Sequence, residues 1–108
     1  MSTDRVQKLR EFLKDDPDDS FTNFALALEY VKLNQLQDAL DLFVKIKNHN
    51  PEYVGVYYHL GKLYEQLEQP DAAAESYKTG IGIAQRLQEL HTTNELQQAL
   101  QELHPDDE

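Results

Sequence analysis

LALEYVKLNQLQDALDLF, residues 26–43, has a counterpart 34 positions later in LGKLYEQLEQPDAAAESY, residues 60–77. Few positions are identical, but residue classes return in step. Leu26 pairs with Leu60, Ala27 with Gly61, Tyr30 with Tyr64, Leu33 with Leu67, Gln35 with Gln69, Ala39 with Ala73 and Phe43 with Tyr77. Pro17 and Pro51 share the offset. Within each copy the apolar positions follow helical spacing on both sides of a short polar break. One supersecondary unit is therefore used twice.

The rest of the chain reads as more helix. Val6, Leu9, Phe12 and Leu13 form one face of a first helix over residues 3–15, with Thr3 as its cap and Asp4 at the positive end of its dipole. Asp16 before Pro17 ends it. A second helix runs from Ser20 to about Asn34 and a third from Leu36 to about His49. The fourth spans about Tyr53 to Leu67. Pro70 opens the fifth, where a missing N–H costs nothing. The fifth is expected to continue to about Leu90, because Gln85 stands where a proline would stop it. Gly80 and Gly82 lie inside it, each costing about 1 kcal/mol relative to Ala unless something repays the loss or the helix bends. Thr92 and Glu95 have capping-box spacing and open a sixth helix over 92–104, followed by an acidic tail over 105–108.

Composition narrows the function. The chain has 108 residues, 40% hydrophobic and 28% charged, with no cysteine. That suits a single domain and excludes disulfides, thiolate catalysis and thiolate metal sites. A net charge of −10 argues against nucleic acid and against anionic membrane surfaces. Part of the acidic excess lies in DDPDD, residues 15–19, and is read as serving solubility, with a basic partner or a high-salt environment as alternatives. Neither an apolar signal core nor a membrane-spanning run is present, so the reading is a soluble, cytoplasmic protein. His49, His59, His91 and His104 lack metal-ligand spacing. Gly80-Ile81-Gly82 lacks the further glycine and the strand of a phosphate loop, and Ser20 and Ser76 lack a base. No catalysis, metal or cofactor is expected.

The repeat resembles the tetratricopeptide repeat, a 34-residue helix-turn-helix unit with the pattern W-x2-L-G-x2-Y, A-x3-F, P. The second unit reads Tyr57-x2-Leu60-Gly61-x2-Tyr64 and Ala73-x3-Tyr77. The first reads Asn23-x2-Leu26-Ala27-x2-Tyr30, Ala39-x3-Phe43 and Pro51. Asn23 departs from the family's Trp; Phe12 and Ile46 stand where it prefers Ala, whereas Gly80 fits. Small residues let the helices of a hairpin approach, and aromatic ones fill the space between hairpins. The resemblance implies an all-α, right-handed superhelix of about six helices. It is divided into a half-unit helix (3–15), a first unit (20–53), a second unit (54–90) and a capping helix (92–104).

Family members are typically scaffolds that bind a peptide or protein in a concave groove lined by the first helix of each unit. Carried onto this chain, the groove positions include Phe21, Phe24, Leu28, Val31 and Lys32, then Tyr58, His59, Lys62, Glu65 and Gln66. Spacing alone puts Phe21, Phe24 and Leu28 on a stripe distinct from Leu26, Tyr30 and Leu33. That stripe is either an exposed patch or core covered by neighbouring helices. The sixth helix would flank the groove. Some relatives clamp an acidic chaperone tail with Lys, Arg and Asn, but Phe24 and Leu28 occupy two of those positions. The expectation is a protein-interaction module with a protein or peptide partner, binding through Phe21, Phe24, Leu28, Lys32, Tyr58, His59 and Lys62. The alternative is a homodimer closed by the same surface.

Overall fold

A computed structural model describes the backbone of residues 2–104 and the side chains of residues 4–104. Six helices and no strand occur among the described residues: α1 (Ser2–Asp15), α2 (Ser20–Lys32), α3 (Leu36–His49), α4 (Gly55–Gln66), α5 (Pro70–Arg86) and α6 (Leu90–Leu103). The architecture is all-α, as the resemblance of the repeat implies. The chain divides into two compact units, Met1–Tyr53 and Val54–Glu108.

In the first unit α2 packs on both α1 and α3. Asp19 caps α2, its carboxylate accepting from the Thr22 amide at 2.9 Å and from the Thr22 hydroxyl. These bonds hold the Asp19 carboxyl below its ordinary value. The loop before α2 is fastened at the Pro17 carbonyl, which accepts from Asn23 Nδ2 at 3.0 Å and Lys45 Nζ at 2.8 Å. Asn23, where the family prefers Trp, is thus buried and used to bind the loop. Leu26, Ala27, Tyr30, Ala39, Phe43 and Ile46 form the core.

In the second unit α5 packs between α4 and α6. Its core is Val56, Tyr57, Leu60, Leu63, Ala73, Tyr77, Ala84 and Leu96. A Cβ on Gly61 would fall 2.1 Å from the Tyr77 ring, so this glycine is what lets α4 and α5 approach. Gly80 does the same on α5: a Cβ there would fall 2.6 Å from Tyr57 Cβ and 2.9 Å from Leu96. Gly82 meets nothing within 4 Å.

Three turns share one geometry. Asn34, Glu68 and Gln88 each adopt positive φ, at 60°, 59° and 60°. In each, the next amide reaches back five residues: Gln35 to Tyr30 and Gln69 to Tyr64 at 2.8 Å, Glu89 to Ala84 at 2.9 Å. A second bond spans three residues: Asn34 to Val31, Glu68 to Glu65 and Gln88 to Gln85. This is the Schellman closure of a helix.

The third turn corrects the expected boundary. α5 stops at Arg86 rather than Leu90, because Gln88 closes it as Glu68 closes α4. α6 starts at Leu90 with Glu89 as its N-cap, so Thr92 lies within the helix and the Thr92–Glu95 capping box does not form. The Thr92 hydroxyl instead lies 3.5 Å from Glu89 Oε1. Three further boundaries move. α2 ends at Lys32, leaving Asn34 to the turn. α4 begins at Gly55, leaving Tyr53 in the preceding loop. α1 is already helical at Ser2, and the Thr3 side chain and the tail over 105–108 lie outside the described residues. Phe12, expected on the buried face of α1, is 70% exposed; only Val6 of that set is fully buried.

Candidate functional site

The expected binding residues fall on two helices, one in each compact unit. On α2, Phe21 is 70% exposed. Phe24 is half-buried, its ring 5.9 Å from Phe43 and 5.4 Å from Tyr53, both tilted. Much of Phe24 therefore belongs to the packing of α2 on α3, and Phe21 carries the stripe's open apolar surface. Leu28 and Val31 are half-buried. Lys32 is exposed but tied down: its ammonium lies 3.3 Å from Glu29.

On α4, Tyr58, His59 and Lys62 are half-buried, and the Tyr58 ring meets both of the others. The Tyr58 ring meets the His59 imidazole edge-on at 5.4 Å and lies 6.5 Å from the Tyr77 ring. The Lys62 ammonium stands 5.6 Å from the centre of the Tyr58 ring, within cation–π range, and 4.0 Å from Glu65. Glu65 also accepts from the buried Tyr77 hydroxyl at 2.5 Å. Burial and this carboxylate push the Tyr77 phenol far up. Burial pushes the His59 imidazole below its ordinary 6.5, against an upward pull from Glu95 on α6. At neutral pH this surface is thus an aromatic and imidazole patch with one ammonium at its edge. It can desolvate flat apolar or aromatic groups, with the Lys62 ammonium at its edge paired to Glu65. Gln66 is exposed beside it.

Sequence reasoning missed an ionic cluster on the first unit. Glu29 is buried, yet its Oε2 accepts Arg5 Nε at 3.1 Å and Lys32 Nζ at 3.3 Å. A buried carboxylate needs such partners. The signal was available: Glu29 holds the register of fully buried Leu63, and Arg5 that of Ala39 and Ala73. Arg10 likewise donates to the Tyr30 hydroxyl, from Nε at 3.0 Å and from Nη2, and lies over the Tyr30 ring. Among the described residues no group of three His, Asp or Glu side chains is placed to hold a metal ion, and no helix is long and apolar enough to cross a membrane.

The chain is similar to a tetratricopeptide repeat domain protein from Salinibacter ruber, with 41% identity, 85% of this chain and 93% of that one covered, and a TM-score of 0.80. It shares the fold of the TPR2B domain of yeast Sti1, seen in complex with pHsp70, at 17% identity and a TM-score of 0.87 over 94% of this chain and 82% of that one. It is 29% identical over 80 residues to anaphase-promoting complex subunit 3 of Dictyostelium discoideum, which is 74% of this chain but only 8% of that protein's length. The model of the tetratricopeptide repeat matches residues 1–81. With the helical hairpins, the close contact at Gly61 and the 34-residue register agreeing, the chain belongs to the tetratricopeptide repeat family.

Proposed function

We propose that this protein is a non-catalytic interaction module that binds a protein or peptide through the outward faces of the first helices of its repeats. The observation carrying this reading is the α4 cluster of Tyr58, His59 and Lys62, which remains half-exposed around an aromatic ring while neighbouring Tyr57 is buried. Aromatic side chains in this state supply large contact area at small entropic cost, as interface anchors do. Phe21 offers similar area on α2, and Phe24, Leu28 and Lys32 border it. The complex of the related Sti1 fold with pHsp70 supports a protein ligand in general and does not specify this one. The acidic chain favours a partner that does not depend on a strongly cationic groove. Cytoplasmic residence is part of the same proposal.

The test is affinity capture with the whole chain as bait, run beside Phe21→Ala and Tyr58→Ala with Lys62→Glu. The expected result is a reproducible partner lost from both variants. Phe21→Ala should leave the melting curve within about 0.5 kcal/mol of the parent, as exposed substitutions do. Unchanged capture by both variants would refute the proposal. A dimer that dissociates on dilution and is broken by Phe21→Ala, with no other protein captured, would replace it with self-association.

A further inference from the structure

α1 stands in register with α3 and α5, but on α1 the face those helices bury leaves Arg5 and Phe12 exposed and Leu9 half-buried. Arg5, Leu9 and Phe12 correspond to Ala39, Phe43 and Ile46 at one offset of 34, and to Ala73, Tyr77 and Gly80 at two. All six counterparts are buried. Another helix covers them: α2 places Phe24 against Phe43, and α4 places Gly61 against Tyr77 and Tyr57 against Gly80. On α1 the same face lines a cavity of about 880 Å³ with Arg5, Lys8, Leu9 and Phe12, joined by Glu29 and Lys32 from α2. Phe12, at its wall, is 70% exposed.

The repeat therefore fixes the kind of occupant: a helix lying on α1 as α4 lies on α5. Charge fixes its chemistry. Arg5, Lys8 and Lys32 bring three cations to this cavity against Asp4 and Glu29, in a chain whose net charge is −10. Arg5 and Lys32 share one oxygen of Glu29, and Lys8 has no ion-pair partner among the described residues. A second copy fits poorly. Apart from Phe12 itself, the large hydrophobic side chains exposed among the described residues are Phe21 and Leu90, each in the first turn of its helix, so no other helix of this chain offers exposed large apolar side chains along its length.

We infer that the open α1–α2 face docks an amphipathic helix of another protein, one that lays a large apolar side chain on Phe12 and Leu9 and flanks it with carboxylates facing Arg5, Lys8 and Lys32. This site is separate from the α4 cluster and does not depend on it.

The probe is a hydrocarbon-stapled peptide of about four helical turns, stapled because a free helix of that length is marginal. It carries tyrosine, leucine and glycine at the spacing of Tyr57, Leu60, Gly61 and Tyr64, with Glu on both flanks; its twin carries Lys there. Binding to the whole chain is read by fluorescence anisotropy and amide shift mapping. The Glu peptide should bind, move resonances of α1 and the end of α2, and weaken as salt rises. Phe12→Ala and Lys8→Glu should each weaken it by about tenfold or more with the melting curve unchanged, as loss of an anchor or reversal of a facing charge does. Equal binding of the Lys twin, no binding at about 1 mM, indifference to both substitutions, or shifts confined to α4 would each overturn the inference. So would a dimer of the chain that Phe12→Ala dissociates, since the occupant would then be a second copy.

Discussion

Gly80 and Gly82 show how position, not residue type, sets what a side chain is worth. Both lie inside α5, where glycine costs about 1 kcal/mol relative to Ala. Gly80 is wedged against the Cβ of Tyr57 and against Leu96, two buried side chains that cannot retreat; Gly82 faces open space. Gly80→Ala should therefore destabilise by about 1–3 kcal/mol through overpacking, and Gly82→Ala should stabilise by up to about 1 kcal/mol, both measured by urea denaturation. His59 supplies a pH signature. Its imidazole is held below 6.5 when folded, so the unfolded chain binds more protons in acid. Its effect on stability is absent well above pH 6.5 and grows unfavourable as pH falls through 6.5 toward the folded value. His59→Gln should flatten that part of the stability–pH curve, and a parent curve with no such slope would show that His59 is not desolvated.

The turns explain what was legible in the sequence and what was not. The first two hairpins stand out because Leu26, Ala27, Tyr30, Ala39 and Phe43 each have a counterpart of the same class 34 residues later. The α5–α6 turn escaped that comparison because α5 serves twice, as second helix of one hairpin and first of the next. Its turn therefore follows the previous one after 20 residues: LNQL at 33–36, LEQP at 67–70 and LQEL at 87–90. The apolar stripe of α1 misled for a related reason. Periodicity shows which residues share a face, but Phe12 is buried only if a helix covers that face, and none of the described helices does. Phe24 was hard to assign because the helical wheel places it between two surfaces, and Phe43 and Tyr53 claim part of its ring. The turn geometry yields its own expectation. Gln88 and Glu68 hold a left-handed conformation that costs an L-residue about 1–2 kcal/mol, partly offset for glycine by its greater freedom when unfolded. Gln88→Gly should raise stability by about 0.5–1 kcal/mol in thermal unfolding, and Asn34→Gly by less, because Asn tolerates that conformation. A loss on Gln88→Gly would contradict the closure described for α5.

At the scale of the molecule, each compact unit buries its own aromatic and small residues and leaves a distinct surface. The first unit exposes Phe21 beside half-buried Phe24 and Leu28; the second leaves Tyr58, His59 and Lys62 half-buried at its surface. Shared positions such as Ala39 and Ala73 specify the packing. Unshared ones, such as Leu28 against Lys62 and Val31 against Glu65, distinguish the outward faces and so the ligand each can take. An NMR titration tests that division. Isotope-labelled chain is titrated with the purified partner recovered by affinity capture. Side-chain resonances of Phe21, Leu28, Tyr58, His59 and Lys62 should move while those of Ala39, Phe43, Ala73 and Tyr77 stay in place. Shifts confined to the outer faces of α3 and α5, with Tyr58 and Lys62 unmoved, would contradict it.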